Sequence, residues 1–326
     1  MIYTVEVEEF ALLRPMHIAV RSWHAAEVCT VTVEHDGFRG RGEGAPIFYR
    51  GETIESVHAQ LESVREVVER GLRREDLADL LPAGGARCAL DCALWDLEAR
   101  STGRPVHELA GLAEPAILDS AVTVPLGRPD EMASTASALA DYPLLKVKLG
   151  GDEDEAAIRA VRAAAPGARL TVDANTGWTL ERLVAMGPVL AEVGVELVEQ
   201  PLPVTADDEL EGLDIGVPVA ADESCQTAAD VPGLVGRFDV GVIKLDKAGG
   251  LTGAIALLRA LEGHGLGCMV SCMISTSLGM APARLIGTHC SIVDLDGPMN
   301  AREDRVPPIR YERGRMQPTP ADLWGG

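Results

Sequence analysis

The sequence predicts an α/β protein built in two parts, an α+β unit followed by a parallel α/β barrel. Two observations predict this organisation. The first 100 or so residues change from strand-like alternation to helical periodicity. From about residue 117 onward, short β-branched runs alternate with Ala- and Leu-rich helical stretches. The chain has 326 residues, which is enough to bury a core in each part.

The N-terminal unit begins with strands and continues with helices. Val28–Val33 is rich in β-forming residues and precedes the turn sequence His35–Gly37, a pattern typical of an antiparallel hairpin. Apolar residues then recur at helical spacing, which predicts one helix over Glu55–Arg70 and a second over Ala86–Arg100. Gly103 follows the second helix and is expected to end it.

The second part repeats one unit in form, a short apolar run followed by a helical stretch. The eight runs are Ile117–Val124, Leu144–Lys148, Arg169–Asp173, Val195–Glu199, Val217–Asp222, Val240–Lys244, Gly267–Ser271 and Ser291–Asp294. From the second run on, successive C-terminal ends are 22 to 27 residues apart. A strand, a helix and two short loops need about that length. Eight such strands predict a closed parallel barrel.

The main rival fold is a doubly wound open sheet. That fold usually has a glycine-rich phosphate-binding turn after its first strand. Here Val124 is followed by Pro-Leu-Gly-Arg, which does not form such a turn. The barrel is therefore favoured.

The domain boundaries follow from these patterns. We expect residues 1–115 to form the N-terminal α+β domain and residues 116–303 to form the barrel. Residues 304–326 are rich in Pro, Gly and Arg and contain no further strand–helix unit. This tail is expected to pack back on the N-terminal domain.

The charge of the chain excludes several classes of partner. Asp and Glu number 50 against 29 Lys and Arg, a formal net charge of −21. Such a surface repels nucleic-acid phosphates and anionic lipids. No apolar run in the sequence reaches transmembrane length. We therefore expect a small-molecule partner, and neither a nucleic acid nor a membrane.

The cysteines and the N-terminus indicate a reducing compartment. The seven cysteines are scattered, and none has a Cys-x-x-Cys spacing: Cys29, Cys88, Cys92, Cys225, Cys268, Cys272 and Cys290. This excludes a zinc ribbon and makes a disulfide framework unexpected. Residues 1–10 are acidic and lack the basic and apolar segments of a signal peptide. A cytoplasmic location is expected.

Charged residues end five consecutive runs: Lys146 and Lys148, Asp173, Glu199, Asp222, and Lys244. In a parallel barrel the carboxyl ends of the strands open on one face, so these side chains can meet there. Three carboxylates from neighbouring strands make an oxygen-rich site suited to Mg²⁺. The absence of His and Cys among them argues against zinc. Each acid taken alone could be a helix N-cap or a solvated loop residue, but three in succession between lysines favour a metal site.

The lysines supply the second half of this hypothesis. A lysine beside another cation and partly removed from water loses its proton more readily, and Lys146 is placed to act on Lys148 in this way. The run that carries Lys244 lies on the opposite wall of an eight-stranded barrel, with the three metal strands between. Two opposed lysines could then act on either face of a carbon. If the lysines merely balanced the acids, their separation to opposite walls would be unexplained.

Such a site suits the removal of a weakly acidic proton next to a carboxylate. The product of that step is an enediolate with two negative charges on the carboxylate oxygens. A divalent metal stabilises that charge by about several kcal/mol as a Lewis acid. One lysine could remove the proton and the other could return one, which inverts the carbon.

Six motifs, in this order and spacing, resemble one known group of enzymes: Ala93-Leu-Trp-Asp96, Lys146-Val-Lys148, Asp173-Ala-Asn175, Glu199-Gln-Pro201, Asp222-Glu-Ser224 and Ile243-Lys-Leu-Asp-Lys-Ala-Gly-Gly250. They are similar to those of the enolase superfamily, and of its muconate-lactonising subgroup in particular, over nearly the whole chain.

The resemblance implies a modified TIM barrel, (β/α)₇β, with an α+β capping domain built from the N-terminal region and the C-terminal tail. It implies Asp173, Glu199 and Asp222 as Mg²⁺ ligands and Lys148 and Lys244 as the catalytic acid/base pair. Lys247 lies near, but the family's lysine matches Lys244. Lys146 would contact the substrate carboxylate and tune Lys148, and a homo-oligomer is expected.

The end of the eighth run points to a reaction. Asp294 and Asp296 resemble the Asp-x-Asp pair with which dipeptide epimerases of the L-Ala-D/L-Glu type hold the substrate's amine. The alternative is a loop pair before the Gly-Pro turn. Arg21 looks similar to the cap-loop arginine that binds a glutamate side chain in such epimerases, and a carboxylate suits its forked donors. Cys272 stands where the family contacts substrate, although a cysteine is often packing only.

The resemblance thus implies an isomerase, a dipeptide epimerase that inverts the C-terminal residue of its substrate. Two departures concern the substrate: Ser275 stands where the family often has Glu, and the register of Thr123, where a Thr contact is expected, is open. The alternatives are an o-succinylbenzoate synthase or cycloisomerase of the same superfamily, which would need no amine-binding pair, and a non-catalytic barrel that binds a metabolite.

Overall fold

The computed structural model describes residues 1–18, 21–114 and 116–326, and the side chains of residues 17, 18 and 21 also lie outside that description. Within these residues, the N-terminal part contains three strands and four α-helices: β1 Ile2–Ile18, β2 Arg21–His35, β3 Phe38–Gly44, α1 Ile54–Ser63, α2 Arg65–Glu69, α3 Gly85–Thr102 and α4 Val106–Ala110. The three strands form an antiparallel sheet. The turn between β2 and β3 uses Asp36 and Gly37, both with positive φ, so the predicted hairpin is confirmed.

A close approach between backbones places α3 on this sheet. Alternate glycines of β3, Gly40, Gly42 and Gly44, face the helix, and a Cβ at Gly42 would lie 2.1 Å from the carbonyl oxygen of Ala89. No other residue fits this spacing, so the alternation of glycine in β3 is a packing requirement. The apolar side chains of α1 and α3 complete the core of the unit.

The helix predicted over Glu55–Arg70 is wrong as one element, because it breaks at Val64 into α1 and α2. The hydroxyl of Ser63 donates to the carbonyl oxygen of Gln60 at 2.7 Å. That carbonyl is the one a continuous helix would offer to the N–H of Val64, which instead donates to the carbonyl of Leu61 at 3.4 Å. A local side-chain bond therefore competes with the helical ladder.

The rest of the chain consists mainly of strands and helices in alternation: β4 Leu118–Asp119, β5 Val122–Val124, α5 Pro129–Ala138, β6 Leu144–Lys148, α6 Asp154–Ala164, β7 Arg169–Asp173, α7 Leu180–Glu192, β8 Val195–Glu199, β9 Val219–Ala221, α8 Val231–Leu234, β10 Val240–Ile243, α9 Leu245–Ala248, α10 Leu251–Gly263, β11 Gly267–Val270, α11 Ser277–Gly287, β12 Ile292–Val293, β13 Tyr311–Glu312 and β14 Arg315–Met316. Among the helices that the structure describes, none has the length and hydropathy to cross a membrane.

Strands β5 to β12 form one parallel sheet in chain order. A parallel bridge between Ser120 and Val293, with the N–H of Ala121 donating to the carbonyl of Val293 at 2.7 Å, joins its two ends. The predicted barrel is thus confirmed and the open doubly wound sheet is excluded. The connection from β8 to β9 has a 3-10 helix, Val204–Leu210, in place of an α-helix. Apolar side chains fill the barrel: Ala121, Leu144, Leu197, Ala220, Val240, Val242, Met269 and Ile292.

The single strand predicted over Ile117–Val124 is wrong, because the run divides into β4 and β5. β4 leaves the barrel and pairs with β14 of the tail, whereas β5 pairs with β6 inside it. The bend lies at Ser120, whose hydroxyl accepts from the N–H of Leu295 at 2.9 Å. A partner far along the chain therefore decides where the barrel strand begins.

The tail contacts both parts of the protein. Near the chain end, the indole of Trp324 donates to the carbonyl of Cys92 at 3.0 Å, and the N–H of Gly325 donates to Asp96 at 2.7 Å. Arg305 lies buried between the two parts and donates to Glu8 of β1 and Glu43 of β3. These contacts support the predicted packing of residues 304–326 on the N-terminal domain, and the boundaries 1–115 and 116–303 stay predictions.

Candidate active site

Five charged side chains form a row at the carboxyl ends of neighbouring strands. Lys148 ends β6, Asp173 ends β7 and Glu199 ends β8, and these three stand in register across the sheet. Asp222 and Lys244 follow β9 and β10 directly. The β-branched, apolar strands beneath them fix the backbone, so the row is positioned by the barrel itself.

A lysine lies at each end of the carboxylates. The ammonium of Lys148 is 2.6 Å from Asp173 Oδ2 and donates to Asn175 Oδ1 at 2.9 Å. The ammonium of Lys244 is 2.7 Å from Asp222 Oδ2. Because β6 and β10 are four strands apart in a ring of eight, these two lysines approach from opposite walls. The structure therefore brings together the predicted acid/base pair.

Lys146 bridges three carboxylates. Its ammonium lies 3.0 Å from Asp173, 2.7 Å from Glu199 and 2.9 Å from Asp294, and the residue is only 3% exposed. Burial alone would lower the pKa of Lys146, but the negative charges of these three carboxylates together raise it well above its usual value. Lys146 is thus held as an ammonium ion, and its predicted contact with a substrate carboxylate stays a prediction.

Lys247 has a role that its position in the sequence did not reveal. Its side chain is fully buried, and its ammonium donates to the carbonyl oxygen and to Oδ1 of Asp222, each at 2.6 Å, and to the carbonyl of Val242 at 3.0 Å. It does not line the cavity described below. Lys247 therefore holds Asp222 from behind.

Burial and charge act in opposite directions on the three carboxylates. Burial would raise the pKa of Asp173 and of Asp222, but the lysines beside each, led by Lys146 and Lys244 respectively, hold both well below the usual range. Glu199 differs, because its burial and then the charge of Asp173 raise its pKa to about 7.

The donor set fits a hard divalent cation. Within residues 1–18, 21–114 and 116–326, no three ligand-type side chains already converge on one point; lysines lie among the carboxylates instead. However, Glu199 Oε1 is buried and has no hydrogen-bond partner in the described part of the chain, which is costly for a carboxylate oxygen. Three carboxylates on adjacent strands, one with a free buried oxygen, are ligands that Mg²⁺ prefers.

Gln200 supports the site from below. Its backbone has a positive φ of 33°, and its side-chain oxygen accepts from the N–H groups of Asp222 at 2.9 Å and Ser224 at 3.2 Å. Its amide donates to the hydroxyl of Ser224 at 3.0 Å. Gln200 thus orients the loop that carries Asp222. The motif Glu199-Gln-Pro201 contributed to the family resemblance but did not predict this role.

The two acids after β12 differ in their surroundings. Asp294 is buried, and its Oδ2 accepts from Lys146 at 2.9 Å and from the hydroxyl of Ser271 at 2.8 Å. Asp296 is half-buried and accepts from the N–H of Thr123 at 2.9 Å. Burial, and then the charge of Asp294, raise the pKa of Asp296 to about 6. Within the described residues, Asp294 makes an ion pair with Lys146 and Asp296 makes none.

A cavity of about 270 Å³ opens above the row. Four predicted site residues line it, namely Lys148, Asp222, Lys244 and Cys272, whereas Asp294 and Asp296 do not. Burial and then the charges of Asp294 and Asp296 raise the pKa of the Cys272 thiol well above its usual value, so it stays neutral. The side chain of Arg21 lies outside the described residues.

The N-terminal part supplies the cavity's roof, which the sequence did not reveal. Side chains of the β2 strand and of the segment after β3 line it: Trp23, Ala45, Pro46, Phe48 and Tyr49. Asp246, directly behind Lys244, holds this segment by accepting from the N–H of Ala45 at 2.8 Å. The sequence of this segment does not indicate that it covers a site, because the barrel residues that it contacts are about 200 residues away along the chain.

The fold and the site together define the class of protein: the chain belongs to the enolase superfamily. Residues 131–321 match the family described as enolase C-terminal domain-like. Residues 1–111 match the mandelate racemase / muconate lactonizing enzyme N-terminal domain. The resemblance drawn from the motifs is confirmed.

Among curated relatives, the chain is similar to the L-Ala-D/L-Glu epimerase of Escherichia coli K12, with 42% identity over 317 residues that cover 96% of this chain and 99% of the relative. It is also similar to an N-acetyl-D-glutamate racemase of a Pseudoalteromonas species, with 38% identity, covering 91% of this chain and 94% of the relative. Both relatives are isomerases that act on an amino-acid derivative.

Solved structures give the same picture. An enolase family member from Agrobacterium tumefaciens with homology to dipeptide epimerases, bound to sodium and L-Ala-L-Glu, has a TM-score of 0.96 and 41% identity, with 99% of each chain covered. A dipeptide epimerase from Enterococcus faecalis complexed with Mg and L-Leu-L-Tyr has a TM-score of 0.91 and 27% identity, covering 99% of this chain and 97% of that one.

Proposed function

We propose that the protein is a Mg²⁺-dependent dipeptide epimerase that inverts the α-carbon of its substrate's C-terminal residue. One observation carries the proposal: Lys148 and Lys244 reach a single cavity from opposite walls, with the carboxylate row between them. A carbon held between two such lysines can lose a proton to one and receive a proton from the other on its opposite face.

The residues that would hold the metal are Asp173, Glu199 and Asp222. When bound, Mg²⁺ supplies Lewis-acid stabilisation for the charge that develops on the substrate carboxylate as its α-proton leaves. Lys247 and Gln200 keep Asp222 in place during turnover. The free oxygen of Glu199 and the Mg-bound relative from Enterococcus faecalis support this assignment.

The substrate contacts are proposals of the same kind. Lys146 would meet the substrate carboxylate, Cys272 would contact the substrate from the wall after β11, and Arg21 would bind an acidic side chain. Asp294 and Asp296 would hold the amine of the first residue. Since Asp294 already pairs with Lys146 and Ser271, most of the amine's stabilisation would come from Asp296.

The decisive experiment follows the α-proton. Incubation of L-Ala-L-Glu with the protein and Mg²⁺ in D₂O is expected to exchange the glutamate α-proton and to form L-Ala-D-Glu, both visible by proton NMR. The same incubation with L-Leu-L-Tyr tests whether an acidic second residue is required. If neither these dipeptides nor a broad dipeptide panel shows exchange, the proposal is wrong.

A second candidate is the racemisation of an N-acylated amino acid. The racemase relative acts on N-acetyl-D-glutamate, and Asp294 is occupied by a cation of the protein itself. An N-acyl substrate has no ammonium group, so Asp296→Asn should slow epimerisation of L-Ala-L-Glu by at least about tenfold and spare N-acetylglutamate. A higher kcat/KM for N-acetylglutamate than for L-Ala-L-Glu in the natural protein would favour the second candidate, whereas equal effects of Asp296→Asn on both substrates would contradict the contact between Asp296 and the amine.

Three further expectations remain proposals. We place the protein in the cytoplasm, and its seven free cysteines support this. We propose two domains, residues 1–115 and 116–303, with 304–326 packing on the first. We also propose a homo-oligomer, which sedimentation would test, and from the net charge of −21 we expect neither nucleic acid nor a membrane as a partner.

A further inference from the structure

Tyr49 stands on a wall shared by two spaces. It lines the cavity that contains Lys148 and Lys244, and also an adjoining groove of about 680 Å³. It belongs to the N-terminal part of the chain, whereas the carboxylates and lysines belong to the barrel. Tyr49 therefore faces whatever part of a ligand projects away from the row.

The hydroxyl of Tyr49 has a donor that the structure does not use. Its one hydrogen bond among the described side chains comes from the amide of Gln226, which donates to the hydroxyl oxygen at 3.4 Å. A phenol can accept such a bond and still donate one. The hydroxyl proton is thus available to an acceptor in the cavity.

The ring of Tyr49 is held in a defined position. It belongs to the 3-10 turn Phe48–Arg50, which ends at Gly51 with a left-handed φ of 78°. The rings of Phe48 and Tyr49 pack edge to face at 5.2 Å, and Phe48 packs in the same way on Trp23 at 5.1 Å. A donor fixed by its neighbours loses little entropy when it binds an acceptor.

The barrel's order indicates which part of the substrate reaches this donor. Tyr49 contacts Gln226, which lies in the loop after β9. Asp296 is bonded to Thr123 of β5, and β5 and β9 are four strands apart in the ring of eight. A dipeptide whose amine is held at Asp296 and whose α-carbon lies between the two lysines therefore extends its second side chain toward Tyr49.

We propose that Tyr49 is a specificity-determining residue whose hydroxyl donates a hydrogen bond to a side-chain oxygen of the substrate's second residue, a carboxylate or an amide. The inference rests on the proposed function. It assigns to this wall a preference for glutamate- or glutamine-like side chains over aliphatic side chains of similar size.

The test compares three dipeptides, L-Ala-L-Glu, L-Ala-L-Gln and L-Ala-L-Leu, in the natural protein and in Tyr49→Phe, which keeps the ring and removes the hydroxyl. A dipeptide that is not turned over is measured as a competitive inhibitor of L-Ala-L-Glu turnover. Tyr49→Phe lowers kcat/KM, or the affinity of a dipeptide that only binds, by a certain factor. This factor is expected to be at least about 10 times larger for the Glu and Gln dipeptides than for the Leu dipeptide. Because the Leu dipeptide reports on folding in the same sample, a general loss of structure is recognised.

The matched control is Tyr142→Phe, which removes a tyrosine hydroxyl just before β6, at the opposite end of the barrel, and is expected to leave all three values unchanged. Equal losses on the three dipeptides, or no loss, in Tyr49→Phe overturn the inference while the proposed function stands. Absence of exchange by the natural protein with every dipeptide overturns the proposed function, and the inference with it.

Discussion

Lys247 offers a direct test of how the site is built. Lys247→Met keeps an unbranched side chain, one atom shorter, and removes its charge. The ammonium of Lys247 is buried and makes three bonds, at 2.6, 2.6 and 3.0 Å, two of them to Asp222. Removing one partner of a buried ion pair costs about 3 to 5 kcal/mol. Because Lys244 still contacts the other oxygen of Asp222, the lower limit applies.

This cost converts to a measurable shift in Tm. Unfolding entropy is about 2.1 cal/mol/K per residue, which for 326 residues gives about 0.7 kcal/mol/K. A loss of about 3 kcal/mol therefore lowers Tm by about 4 °C, measured by scanning calorimetry in the absence of ligands.

The control removes an exposed cation. Arg128 pairs with Asp130 at 2.6 Å, but both side chains are about two-thirds exposed, and such pairs contribute little. Arg128→Met should therefore shift Tm by less than about 1 °C. If Lys247→Met shifts Tm no more than Arg128→Met does, then Lys247 does not hold Asp222 as argued.

Three other predictions concern chemistry and pH. Lys148→Ala and Lys244→Ala should each lower epimerisation by about 10² to 10⁴, while each retains deuterium exchange with only one stereoisomer of the substrate; exchange of both stereoisomers by either variant would contradict the two-base arrangement. Treatment with EDTA should abolish turnover and added Mg²⁺ should restore it, and turnover that survives exhaustive chelation would exclude the metal site. Asp91 is buried, and this burial raises its pKa to about 6, so the folded state binds the proton more tightly than the unfolded chain does. The contribution of Asp91 to the free energy of unfolding should therefore fall by about 2 to 3 kcal/mol as the pH rises from about 4 to 6. In urea titrations at these pH values, the difference in stability between the natural protein and Asp91→Asn should change by that amount.

The barrel was predictable because its signal is local. Each strand is a short apolar run with a polar end, and the regular distance between ends counts the strands. The ends of the strands also predicted the position of the site. Parallel strands bring Lys148, Asp173 and Glu199 to one face of the barrel, whatever the helices between them. The order of the runs also put Lys244 opposite Lys148.

Most of the structural features that could not be predicted from the sequence depend on contacts between residues far apart along the chain. The division of Ile117–Val124 into β4 and β5 is decided by β14, almost 200 residues later. No local sequence pattern predicts that Tyr49 lines the cavity or that Arg305 donates a hydrogen bond to Glu43. The break of the helix at Val64 has a local cause, the hydrogen bond from the Ser63 hydroxyl. It was missed because the spacing of apolar residues carries no information on a hydroxyl that competes for a backbone carbonyl.

The contacts of individual charged residues near the row could not be predicted from their spacing in the sequence either. Asp294 and Asp296 stand two apart and looked equivalent, yet Asp294 is bonded to Lys146 and Asp296 is not. Lys247 looked like a neighbour of Lys244 and proved to be a buried support. In both cases the sequence spacing identified the residue, but only the structure showed which groups it contacts.

The distribution of lysine has a practical consequence. The chain contains four lysines. Lys148 and Lys244 line the cavity, whereas Lys146 and Lys247 are buried beneath it. Among side chains, therefore, only Lys148 and Lys244 present an amine to a reagent that enters the cavity, and each side chain is about a tenth exposed. Protection of these two amines from such a reagent would report occupancy of the cavity without any assay of turnover.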